Sequence, residues 1–200
     1  MKYLMLIITF FMCNPAHANS VLKVNKERLI EVVGPIRDLQ ASADAVLALS
    51  EASSDRIFIK LDTYGGSVIG GLKLIQAIER AKTRGVRVVC YVENASMSMG
   101  THIMAACSKN YVLESSLIMW HPVSISFMMV RITPDDAKRL HEGMELLVGF
   151  LEKKLKARLG LSDEDYEYYH KNEHIIPGVD LEKIAPLFVQ VIKDYREYDE

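Results

Sequence analysis

The sequence predicts an α/β domain assembled from βαβ units. Three observations carry this: short apolar runs alternate with longer segments of helical period, glycine-containing turns separate several of them, and one long stretch over residues 133–160 keeps helical spacing throughout. Half of the 200 residues are hydrophobic and a quarter charged, which suits one domain with a sizeable core.

The elements can be justified in order. Arg28 to Val33 is apolar enough for a strand and is ended by Gly34-Pro35; Ala41 to Glu51 has helical composition; Arg56 to Leu61 alternates around Ile57 and Ile59 as a strand does. The turn Asp62-Thr63-Tyr64-Gly65-Gly66-Ser67 follows. Ile69, Leu72, Ile75 and Ile78 then mark one side of a helix reaching about Arg84, with Gly85 as its stop. Val86 to Val92 reads as a buried strand, Met99 to Ala106 as a helix, and Tyr111 to Leu113 and Leu117 to Trp120 as short strands. In Thr133-Pro134-Asp135-Asp136 a capping residue, a proline at the first helical position and two acids open the long helix. Its apolar stripe is Leu140, Met144, Leu147, Leu151 and Leu155. Ser162 to Lys171 makes an acidic, tyrosine-rich helix, and Leu181 to Val191 a last apolar segment before a polar tail, Lys193 to Glu200.

A net charge of -2 with dispersed Lys and Arg gives no basic stripe, which argues against nucleic acid as a partner. The N-terminus has the layout of a secretory signal peptide: Lys2, an apolar run from Tyr3 to Met12, then Ala16-His17-Ala18. Residues 1–18 are therefore expected to be removed after Ala18, leaving one domain over 19–200 that is exported, periplasmic or secreted. Cys13 follows the bulky Phe11-Met12, a poor context for a lipoprotein anchor. Cys90 and Cys107 read as small buried hydrophobes, and an exported location permits a bond between them without requiring one.

Ser98 lies in Asn94-Ala95-Ser96-Met97-Ser98-Met99-Gly100, between a buried strand and a helix. Such a turn exposes a side-chain oxygen and aims nearby backbone N–H groups at it, although a serine before a helix is also an ordinary N-cap. Gly65-Gly66 ends one strand and His121 ends another, the place where an α/β sheet presents functional groups.

These segments carry a resemblance. Asp62 to Val68 is similar to the glycine-pair motif of the Clp protease proteolytic subunit, Ala95 to Ala106 resembles its nucleophile motif, and Leu117 to Pro122 its histidine motif. The likeness runs from about Leu29 to His121 and more faintly to Ala185. It implies the ClpP/crotonase-like spiral of repeated βαβ units, with the long helix as a protruding handle through which rings of a homo-oligomer stack. It implies a serine peptidase acting on peptides or unfolded proteins, with Ser98 as nucleophile, His121 as general base and the N–H groups of Gly66 and Met99 as the oxyanion hole. Neither a cofactor nor a metal is expected. Ser96 is a decoy with the worse following context.

The third member departs from the family, which places an Asp after an acidic helix. Here the region reads His170-Lys171-Asn172-Glu173-His174. Glu173 can do the same electrostatic work through a longer arm, Asn172 could only orient the imidazole, and both could be plain surface residues. The leader is a second departure, since an exported chain has no ATP to drive an unfoldase. Two alternatives stay open: an exported Ser/Lys peptidase similar to signal-peptide peptidase SppA, with Lys138 as base, and a non-catalytic assembly module of the same fold.

Overall fold

The computed structural model describes residues 21–52, 55–123 and 133–198. The expected leader, with Cys13 and the cleavage position after Ala18, lies outside them. Fifteen elements follow: β1 (Val21–Asn25), β2 (Leu29–Val33), α1 (Gln40–Glu51), β3 (Arg56–Thr63), α2 (Val68–Thr83), β4 (Arg87–Met97), α3 (Met99–Ala106), β5 (Lys109–Leu113), β6 (Leu117–Met119), α4 (Pro134–Leu159), α5 (Asp163–Lys171), β7 (Ile176–Pro177), α6 (Gly178–Ile184), β8 (Gln190–Ile192) and β9 (Asp194–Tyr198). The expected α/β class is what the chain adopts. No helix among the described residues is long and apolar enough to cross a membrane.

The main sheet runs β2-β3-β4-β5-β8, all parallel. Alternation sorts its two faces. Ile57, Ile59 and Leu61 of β3 and Val88, Cys90 and Val92 of β4 enter the large core with Val46, Leu74, Ile75, Ile78 and Ile103 of the helices. Phe58, Val89 and Tyr91 face the other way and form a second cluster with Val24. That side is covered by a ribbon of β1 and β9, paired in parallel from Val21↔Asp194 to Asn25↔Tyr198. The ribbon is a correction, because Lys193 to Glu200 reads locally as a polar tail. Tertiary contacts make the strand: the Tyr195 ring lies 4.7 Å from that of Tyr91, and its hydroxyl bonds Glu93.

β4 does two jobs, and this positions the site. Val89 to Val92 pair with β5, whereas Ala95 to Met97 pair with β6. Where β4 changes neighbour, Ser116 fills the gap. Its buried hydroxyl accepts from Leu113 N–H at 2.9 Å and lies 2.9 and 3.1 Å from the Val92 and Glu93 carbonyls. The apolar run alone ends this strand at Val92, before Glu93-Asn94. The structure carries it on to Met97, with Asn94 bonded to Asp62 at 2.8 Å and Lys60 paired to Glu93 at 2.9 Å.

The helices show where spacing mattered. A step of three residues drifts around a 3.6-residue turn, so Ile69 ends up 70% exposed while Gly70, Gly71, Leu74, Ile75, Ala77, Ile78 and Ala81 form the buried face of α2. On α4 the expected Thr133 cap is present and forms a capping box with Asp136, Pro134 occupies the first turn, and Gly160 ends the helix at φ 68°. The stripe divides. Leu151 and Leu155, joined by Leu159, are buried in the domain, while Leu140 and Leu146 are exposed and Met144 and Leu147 only partly covered.

Cys90 and Cys107, both buried, form a disulfide with Cα atoms 6.0 Å apart. It joins β4 to the end of α3.

Candidate active site

Strand pairing brings the two central side chains together. The parallel register Ala95↔Leu117, Ser96↔Ile118 and Met97↔Met119 sets the ends of β4 and β6 side by side. Ser98 N–H continues the ladder by donating to Met119 O at 2.9 Å. Ser98 follows Met97 directly and His121 stands two residues beyond Met119, and there His121 Nε2 lies 2.9 Å from Ser98 Oγ. For that hydroxyl to donate, the ring proton must sit on Nδ1, the nitrogen on the Glu173 side.

Ser98 has φ 51° and ψ -119°, a conformation that costs a side-chain-bearing residue on the order of 1–3 kcal/mol. Neighbours hold it there. A Cβ at Gly65 would stand 2.6 Å from Ser98 Cβ and 3.2 Å from Met99 N; one at Gly100 would stand 2.8 Å from Thr63 Cγ2. The Thr101 hydroxyl lies 2.8 Å from Ser96 O and 2.7 Å from Met119 O, tying the elbow to both strands. Ser96, by contrast, faces inward and is fully buried, so no substrate reaches its hydroxyl without unfolding the strand.

Two backbone donors flank the serine. Met99 opens α3, so its N–H has no acceptor within the helix. Gly66 forms a parallel bridge with Ile36, whose N–H donates to Gly65 O at 2.9 Å and whose carbonyl accepts from Ser67 N–H at 2.8 Å. Bridging through its neighbours leaves the Gly66 N–H pointing away from Ile36. A Cβ at Gly66 would lie 2.2 Å from Ile36 O, so only glycine fits.

Glu173, at φ 50° just beyond α5, brings Oε1 to 3.9 Å from His121 Nδ1. This is an ion-pair approach rather than a hydrogen bond, and the carboxylate side chain is 64% exposed. Asn172 spends its amide on Tyr168 O at 2.6 Å. Lys138 is a solvated helix residue, 76% exposed and 4.0 Å from Glu142.

His102 escaped the sequence reading, although it stands one helical turn after Ser98. It is buried beside Leu151, and burial pushes its imidazole down to about 4 against a hydrogen bond with the Leu151 backbone. At neutral pH it is an uncharged core histidine, not a rival base. Among the described residues no His, Cys, Asp and Glu side chains cluster in a metal-binding arrangement.

The Clp protease family matches residues 14–159. Among curated proteins the ATP-dependent Clp protease proteolytic subunit of Borrelia garinii subsp. bavariensis is 33% identical over 99 residues. That stretch is 48% of this chain and 50% of the relative, so the match spans about half of each. With most of its length, including the elbow and the strand-end histidine, inside the family match, the chain belongs to the Clp protease family.

Proposed function

We propose that the chain is a serine-type endopeptidase for peptides or unfolded proteins, with Ser98 as nucleophile and His121 as general base. The observation that carries this is the 2.9 Å contact between Ser98 Oγ and His121 Nε2 at a strained elbow. His121 takes the hydroxyl proton as Ser98 attacks the scissile carbonyl, and the Gly66 and Met99 N–H groups hold the resulting oxyanion. The tetrahedral intermediate collapses as His121 returns the proton to the leaving amine. Water then releases the acyl group by the reverse sequence. Glu173 offsets the charge on the imidazolium through space.

A fluorophosphonate probe tests the assignment directly. Wild-type protein and Lys138→Ala are expected to label, and Ser98→Ala and His121→Ala to stay unlabelled, with casein cleavage following the same pattern. Labelling of His121→Ala together with loss in Lys138→Ala would replace this centre by a Ser/Lys pair. No labelling of the wild type would favour the non-catalytic module.

The reading extends to location and assembly. The N-terminal pattern and the buried Cys90–Cys107 bridge favour an oxidising, exported setting. N-terminal sequencing of envelope protein should then begin near Asn19, and intact Met1 in the cytosol would refute export. The outer half of α4 favours a closed homo-oligomer whose chamber limits access to Ser98. Leu147 and Phe150 line a groove of about 340 Å³ with Leu72 and Ile75 of α2, an apolar surface that suits a second copy. Leu147→Glu should dissociate the assembly, and a wild-type monomer of full activity in light scattering would remove both ring and chamber.

A further inference from the structure

Trp120, the sole tryptophan, sits between β6 and His121 and is 1% exposed. Its ring packs against two rings of α5, Tyr166 at 6.3 Å and Tyr169 at 5.8 Å. Trp120 Nε1 and Tyr166 Oη have no hydrogen-bond partner among the described residues, so the rings meet through packing, stacked on Tyr166 and tilted by 52° against Tyr169. Beyond Tyr169 the chain is tied back onto the same helix on either side of Glu173. Asn172 Nδ2 donates to Tyr168 O at 2.6 Å, His174 N–H donates to Tyr169 O at 3.3 Å, and the His174 ring stacks on Tyr168 at 4.8 Å. On the same buried face of α5, the His170 ring stacks on Tyr166 at 5.3 Å and its Nε2 lies 3.2 Å from Glu152 of α4.

We infer that Trp120, Tyr166 and Tyr169 form an aromatic clasp that sets the position of the Glu173 carboxylate relative to the His121 imidazole. The three rings are positioning residues and touch no substrate. The contacts close a circuit: His121 is bonded to Trp120, Trp120 seats α5, α5 holds the backbone around Glu173, and Glu173 faces His121 Nδ1. Glu173 makes no other ion pair among the described residues, so its side chain goes where its backbone puts it. A separation of 3.9 Å is sensitive to that placement, since a displacement of about 1 Å decides between a contact and none.

The inference rests on the peptidase reading above, and a double-mutant cycle separates the two. Tyr169→Leu and Glu173→Gln should each lower kcat about tenfold with KM little changed. Combined, they should lose no more than Glu173→Gln alone, and Tyr169→Phe, which keeps the ring, should behave as wild type. Independent losses that multiply to about a hundredfold, or a loss in Tyr169→Phe as large as in Tyr169→Leu, overturn the clasp. If Tyr169→Leu fails to fold, Trp120→Phe takes its place in the cycle with the same expectations. Hydrolysis that survives Ser98→Ala refutes the peptidase reading instead. The clasp is then decided by a crystal structure of Tyr169→Leu, or of Trp120→Phe if that variant replaced it: Glu173 displaced from His121 supports it, and Glu173 unmoved refutes it.

Discussion

Ser98→Ala should lower peptide hydrolysis by about 10³-fold or more, His121→Ala by a similar factor, and the double variant by no more than either single one. This non-additivity follows from the geometry. The hydroxyl and the imidazole share one proton across 2.9 Å, so removing either leaves the other without a function. Ser96→Ala is the matched control, two residues before Ser98 near the end of β4 but fully buried, and should keep most activity. Equal losses at Ser96 and Ser98, measured with a small peptide panel beside casein, would reject the assignment.

Gly66→Ala should be nearly as damaging, by a different route. The new methyl would need the space of Ile36 O at 2.2 Å, and Gly66 has φ 142°, so the bridge must open or the turn must rotate. Either movement redirects the Gly66 N–H. Thermal unfolding should report a loss of about 2–4 kcal/mol, within the range of disruptive backbone substitutions, and hydrolysis should fall by about 10²-fold or more. Gly143→Ala in α4 is the contrast. Nothing lies within 4 Å of its Cβ position, so it should leave hydrolysis intact and stabilise the helix by up to about 1 kcal/mol. A Gly66→Ala protein of normal stability and activity would show that the bridge to Ile36 does not govern the site.

The parts of this architecture written in local sequence were legible before any coordinates. The span Met99 to Ala106 came out as α3, and Thr133, Pro134 and Gly160 bound α4, because capping and turn chemistry act within a few residues. Ser98 and His121 could be chosen by their places at a turn and a strand end. Their approach could not, since it depends on β4 pairing first with β5 and then with β6, which no local pattern encodes. The ribbon strand β9 is charged along most of its length and exists through β1 and Tyr91. Trp120 and His102 stayed unremarked because a lone aromatic or histidine next to apolar residues reads as core, which both are.

The bridge between Cys90 and Cys107 has a consequence for the unfolded chain. The two cysteines, 17 positions apart, enclose the second part of β4, the elbow and all of α3, so Ser98 lies inside a covalently closed loop even when nothing is folded. In the chain-entropy treatment, a loop of this length restricts the denatured ensemble enough to favour the folded state by about 3 kcal/mol. The unfavourable backbone at Ser98 costs about 1–3 kcal/mol, the same order. The strained turn that exposes the hydroxyl is thus offset within its own segment by freedom removed from the denatured state, beside the native contacts of Thr101 that tie it to both strands.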